Sequence, residues 1–193
     1  MKIDIERRIT ISDLELRADG EVKKIVGHAA VFNQLSDDLG GFREQIKPGA
    51  FKRSLKDGDI RALVNHETRL ILGRTTAKTL ALEEDDRGLL SEIAPPDTTY
   101  AHDLIESLKR GDITQMSFAF RVRAGGQEWD EDDEGNVVRT LTDLELFEVS
   151  PVTFPAYPQT DVAARSLDHW RKARGNNTAR RLRMDLRMRQ IAR

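Results

Sequence analysis

Short apolar segments, each cut off by a turn signal, recur from Ile5 to Val152 and constrain the fold more than any other feature of this chain. Ile5, Ile9, Ile11, Leu14 and Leu16 alternate with charged residues over positions 4–17, the period-two pattern of one or two half-buried strands. A turn at Gly20 leads into the continuous apolar run Ile25 to Phe32, read as a buried strand, and Asp37 to Gly41 reads as a loop. Phe42 to Ile46 is a further strand, stopped by the turn residues of Lys47-Pro48-Gly49 and followed by a short helix from Ala50 to Leu55. Ile60 to Asn65 is apolar and ends at His66. Thr79 to Ile93 has the pattern of a hairpin turning over Glu84 to Gly88, and Pro95-Pro96 closes it.

Asp97 or Thr98 is placed to cap a helix carrying Ala101, Leu104, Ile105 and Leu108 on one face, with Gly111 as its C-terminal stop. Two more strands, Gln115–Arg123 and Val137–Ser150, flank the acidic, Gly-containing stretch 124–136, which reads as an exposed hairpin loop. Many strands around two short helices define an α+β domain, expected as a small, mostly antiparallel β-barrel or closed sheet.

Charge divides the chain. Ten Arg or Lys stand against two Asp from Arg165 to Arg193, so this end carries +8 and the remainder −10 of a net charge of −2. The expected organisation is therefore an acidic domain over residues 1–160 and a basic linker and tail over 161–193, for which helix and disorder are both open. Gly175-Asn176-Asn177 reads as a linker, Ser166 to Trp170 as one helical turn and 179–193 as the tail proper. With no cysteine, thiolate chemistry and disulfides are excluded. No apolar run approaches the roughly 18 residues that span a bilayer, and Met1 to Glu6 has no apolar core of a secretory signal, so neither membrane insertion nor secretion is expected.

Ser117 begins an apolar, aromatic strand just past a helix and Gly111. A hydroxyl needs an adjacent base to become a nucleophile; alone in a strand, serine ordinarily bonds local backbone. Of the four histidines, His102 falls on the polar side of its helix and His169 in the basic appendage. His66, at a strand end, suits proton relay, and His28, within the apolar strand, is its rival. Glu148 lies between Phe147 and Val149, where a carboxylate must be bonded; orienting an imidazole would satisfy it. Glu145 is the alternative, and three positions put the two acids on opposite sides of a regular strand. His66-Glu67 starts like a zinc-binding helix motif, but Leu70 occupies the second ligand position, so neither metal nor cofactor is expected.

Five segments in order, Gly27 to Asn33, Ile46 to Phe51, Asn65-His66-Glu67 with Leu72-Gly73-Arg74, Met116-Ser117-Phe118, and Glu148 to Ala156, resemble the prohead protease family of tailed bacteriophages over residues 10–160. That family is distantly similar to the herpesvirus assembly proteases. The resemblance implies a herpesvirus-protease-like fold, Ser117 as nucleophile and His66 as base. The herpesvirus relatives have a second histidine as third member, and no histidine lies between 103 and 168 here, so the resemblance leaves Glu148, with Glu145 as its rival. Arg74, Arg121 and Arg123 are candidates to face a developing oxyanion.

The resemblance implies a serine endopeptidase that processes the major capsid protein, the scaffold and itself inside the assembling procapsid in the host cytoplasm. The herpesvirus relatives act as dimers, which makes a homodimer one option. The basic end is read as a detachable segment that docks on acidic scaffold; nucleic acid is expected only as an incidental contact of that tail. The competing readings are a non-catalytic scaffold or capsid-binding module of the same fold, and an esterase on a similar barrel.

Overall fold

The computed structural model describes residues 5–12, 14–19, 22–154 and 163–175. Contacts divide the chain into two units, Met1–Pro158 and Gln159–Arg193. The second unit contributes one described element, a helix over residues 163–175, longer than the single turn read from Ser166 to Trp170. The tail read over 179–193 and the Asn176-Asn177 linker lie outside the described residues.

In the first unit the strands are β1 (Glu6–Ile11), β2 (Glu15–Asp19), β3 (Val22–Val31), β4 (Arg43–Ile46), β5 (Arg61–Val64), β6 (Glu67–Arg74), β7 (Leu80–Glu84), β8 (Gly88–Ile93), β9 (Gln115–Val122), β10 (Gln127–Glu131), β11 (Val137–Leu141) and β12 (Leu144–Val152). The helices are α1 (Lys52–Asp57) and α2 (Thr99–Arg110). The α+β composition stands, and α2 stops where expected, at Gly111 in the left-handed region with φ of 77°.

No closed barrel forms among the described residues. The strands instead make three sheets, in the orders β1-β9-β12-β5-β6, β10-β11-β4 and β2-β3-β8-β7. β1 and β6 end the five-stranded sheet without pairing to each other, so hydrogen bonds do not run round to close it. Side chains make the link to the three-stranded sheet, since Arg8 of β1 bonds Glu44 of β4. Pairing is antiparallel except for β12 with β5 and β11 with β4.

The stretch 124–136 is not wholly loop. It contains β10, which pairs with β11, and the predicted strand 137–150 is broken between β11 and β12. The core gathers around Phe51, Phe118 and Phe120, with Phe51 edge-on to Phe118 at 5.7 Å and Phe118 stacked on Phe120 at 5.1 Å. At about 1.5–3 kcal/mol for each buried apolar side chain, this cluster anchors β9, the strand that carries Ser117.

The Ile46–Phe51 segment is structural. The Glu84 carboxylate accepts from the backbone N–H groups of Gly49 (2.9 Å) and Phe51 (2.8 Å), which pins the turn before α1. Gly49 has φ of 93°, where a side chain is strained. Gly73 is required for a different reason: a Cβ there would meet the Thr79 carbonyl oxygen at 2.5 Å.

Candidate active site

His66 is positioned by a tight turn. Val64 pairs with Glu67, which leaves Asn65 and His66 as the two loop residues of the β5–β6 hairpin. Both have positive φ, 49° and 62°, as a type I′ turn demands. Neither is glycine, so the turn must be held by other contacts. Asn65 supplies them: its backbone N–H donates to the Pro151 carbonyl (3.0 Å), its Oδ1 accepts from the Thr153 N–H (2.8 Å) and its Nδ2 donates to Thr153 Oγ1 (3.2 Å). The turn is thereby fastened to the end of β12.

β12 carries the acid. Nδ1 of His66 lies 2.5 Å from Glu148 Oε1, and Glu148 Oε2 accepts from Ser150 Oγ at 2.5 Å. In the tautomer that donates from Nδ1 to the carboxylate, Nε2 is the acceptor nitrogen. That Nε2 is buried and has no hydrogen-bond partner among the described residues.

A bulge aligns these groups with Ser117. β12 pairs with β9 as Ser150↔Ser117, Val149↔Phe118 and Glu148↔Ala119, and then slips at Phe147, so that Leu146↔Phe120 and Glu145↔Arg121. Directly opposed residues of an antiparallel pair share a face. Ser117, Ser150, Glu148 and Glu145 therefore all lie on one face, with Phe118, Phe120, Leu144, Leu146 and Val149 on the other. Two acids three positions apart do not face opposite ways here, because the extra residue resets the alternation. They differ in partner: Glu145 bonds Arg121, whereas Glu148 bonds His66. Ser117 and Glu148 are diagonal neighbours across the strands, about 7 Å apart by ordinary sheet spacing.

Ser117 itself is fully buried, and its hydroxyl donates to the Arg8 carbonyl of β1 at 2.9 Å. The other histidines are elsewhere. His28, on β3 of the four-stranded sheet, meets Asp85 at 2.9 Å, and exposed His102 meets Asp97 at 2.8 Å. The three arginines read as oxyanion candidates are each paired to a carboxylate, Arg74 to Asp59, Arg121 to Glu145 and Arg123 to Asp143. Hydrogen bonds from Arg74 hold the Asp59 carboxyl well below the usual carboxylate range. Among the described residues no group of three or more His, Asp or Glu side chains is arranged to hold a metal ion.

Sequence reasoning did not single out Ser150 or Asn65. The signal for Ser150 was present, since residues two apart on a strand share a face and Glu148-x-Ser150 follows that spacing. For Asn65 it was the tolerance of asparagine for positive φ before a second turn residue. Pro155 and Ala156, which end the last resembling segment, lie outside the described residues.

A family model for the caudovirus prohead serine protease matches residues 11–173. Among solved structures, that of the bacteriophage T4 capsid assembly protease, gp21, aligns with a TM-score of 0.50 at 9% identity, covering 79% of this chain and 98% of that one. An identity this low shows a shared fold and carries no residue role across. No curated protein matches the chain.

Proposed function

The chain belongs to the caudovirus prohead serine protease family, and from that membership we propose that it is a serine endopeptidase of capsid maturation, with Ser117 as nucleophile, His66 as general base and Glu148 as the group that orients His66. The observation that carries this reading is the His66–Glu148 hydrogen bond on the sheet face that also holds Ser117.

In the proposed reaction Ser117 Oγ leaves the Arg8 carbonyl by rotation about χ1 and attacks a peptide carbonyl, while its proton passes to His66 Nε2. Glu148 holds the Nδ1–H tautomer and stabilises the imidazolium that forms. The proton then goes to the leaving amine, and water, deprotonated by His66, hydrolyses the acyl-enzyme. The substrates proposed are the major capsid protein, the scaffold and the chain itself, inside the procapsid. No helix among the described residues is long and apolar enough to cross a membrane.

Mass spectrometry of the protein co-expressed with its capsid protein tests the reading. Trimmed capsid protein is expected with the parent and only full-length protein with Ser117→Ala. Equal trimming by both would remove Ser117 as nucleophile. Absence of trimming by either would leave the non-catalytic capsid-binding module as the better account.

A further inference from the structure

The relay proposed above uses one oxygen of Glu148, and the other is also engaged. Oε1 meets His66 Nδ1 and Oε2 accepts from Ser150 Oγ, both at 2.5 Å. Ser150 is fully buried, sits two residues from Glu148 on β12, and lies directly across from Ser117 on β9.

A carboxylate held through a single oxygen can turn about its terminal torsion, which has broad, shallow minima. A fixed donor on the second oxygen removes that freedom, because any turn then breaks a charge-assisted hydrogen bond. It also satisfies an oxygen that burial would otherwise leave without a partner. The donor is rigid in turn, since β12 is flanked by β9 on one side and β5 on the other.

We infer that Ser150 is a positioning residue of the relay: its hydroxyl fixes the plane of the Glu148 carboxylate and, through it, the ring orientation and tautomer of His66, without touching substrate. The inference rests on the reading of Ser117 and His66 as nucleophile and base.

Phosphonylation by a fluorophosphonate probe, in which the nucleophile displaces fluoride and surrenders its proton to the base, tests both levels on the full chain without knowledge of the natural substrate. With Ser150→Ala, the maximal labelling rate of Ser117 should fall roughly tenfold or more, the worth of one hydrogen bond to a charged group, while the probe's half-saturating concentration stays unchanged. Ser150→Cys keeps the side-chain shape with a somewhat larger atom and a weaker donor, so it should fall between the parent and Ser150→Ala. It also serves should the alanine variant fail to fold. The low-field proton resonance of the His66 Nδ1–H should shift in both variants. Labelling at the parental rate, a change confined to half-saturation, or label on Ser150 itself would overturn the inference. Undiminished labelling of Ser117→Ala would instead sink the relay, so the two failures are distinguishable.

Discussion

The two faces of the five-stranded sheet hold similar groups in opposite states. On the core face, Glu6 and Arg8 of β1 meet Glu44 of β4 and Arg139 of β11, all at most 9% exposed. Arg139 Nη1 bonds both Glu6 (2.8 Å) and Glu44 (2.9 Å), its Nη2 bonds Glu6 (2.9 Å), its Nε bonds Gln127 (2.7 Å), and Arg8 bonds both acids. Two cations and two anions cancel and saturate one another. On the other face His66, Glu148 and Ser150 form an open chain that ends in a buried ring nitrogen without a hydrogen-bond partner among the described residues. A saturated cluster has no capacity left for a reaction and works as a clamp between sheets; an unsatisfied one keeps a proton acceptor in hand. The difference lies in what is left over.

The comparison breaks most visibly at His66. His66→Ala should lower proteolysis by about 10⁶-fold, since nucleophile and base of such a relay act as a unit, while the thermal unfolding midpoint moves little; a large fall in the midpoint would make this face structural too. Arg139→Ala should do the reverse. It leaves Glu6 and Glu44 sharing Arg8 as the one buried cation of the cluster among the described residues, at a cost of about 3–5 kcal/mol in chemical denaturation, and residual activity should track the folded fraction. A smaller effect than at His66 is expected from Glu148→Gln, roughly 10⁴-fold in kcat with little change in stability, because the shape stays but the orienting charge and the Nδ1–H tautomer are lost. The smallest concerns acid. Burial raises the pKa of Glu6, but hydrogen bonds and charge from Arg139 and Arg8 outweigh it, and the net shift is downward from 4.5. A depressed carboxyl contributes stability above its unfolded value and loses it as pH falls through the folded one. Stability measured by denaturant titration should therefore decline below about pH 4.5, the ordinary value for this carboxyl, and Glu6→Gln should flatten that decline.

How far the sequence carries depends on which face of a strand is examined. Strands with an apolar face, such as β3, β9 and the β7–β8 hairpin, announce themselves by periodicity. The edges do not. β6 opens with exposed Glu67, Thr68 and Arg69 and so gives no strand signal, and β10 has one apolar residue, half-buried Trp129, among acidic and amide neighbours, so its stretch reads as loop. Closure into a barrel was likewise beyond reach, because periodicity gives strands and not their partners. At the site, His66 and Glu148 stand out because ionisable groups beside apolar runs need an explanation. Glu6, Arg8, Glu44 and Arg139 do not stand out, since a charge opposite an apolar neighbour ordinarily marks the wet side of a half-buried strand. Only the coordinates show them buried against one another.

Phe147 makes β12 a ruler with one mark repeated. Distances counted along the chain to Glu148 from anything before residue 147 carry one surplus unit that the sheet ignores, whereas the step from Glu148 to Ser150 is counted true. Chains of this kind aligned on landmarks upstream of the bulge would put the acid out of phase by one, and those aligned backwards from Ser150 would not. Removing Phe147 would therefore leave every neighbour of Glu148 across the strand pair unchanged in identity, and alter only the local coiling that sets the angle at which its carboxylate meets the imidazole.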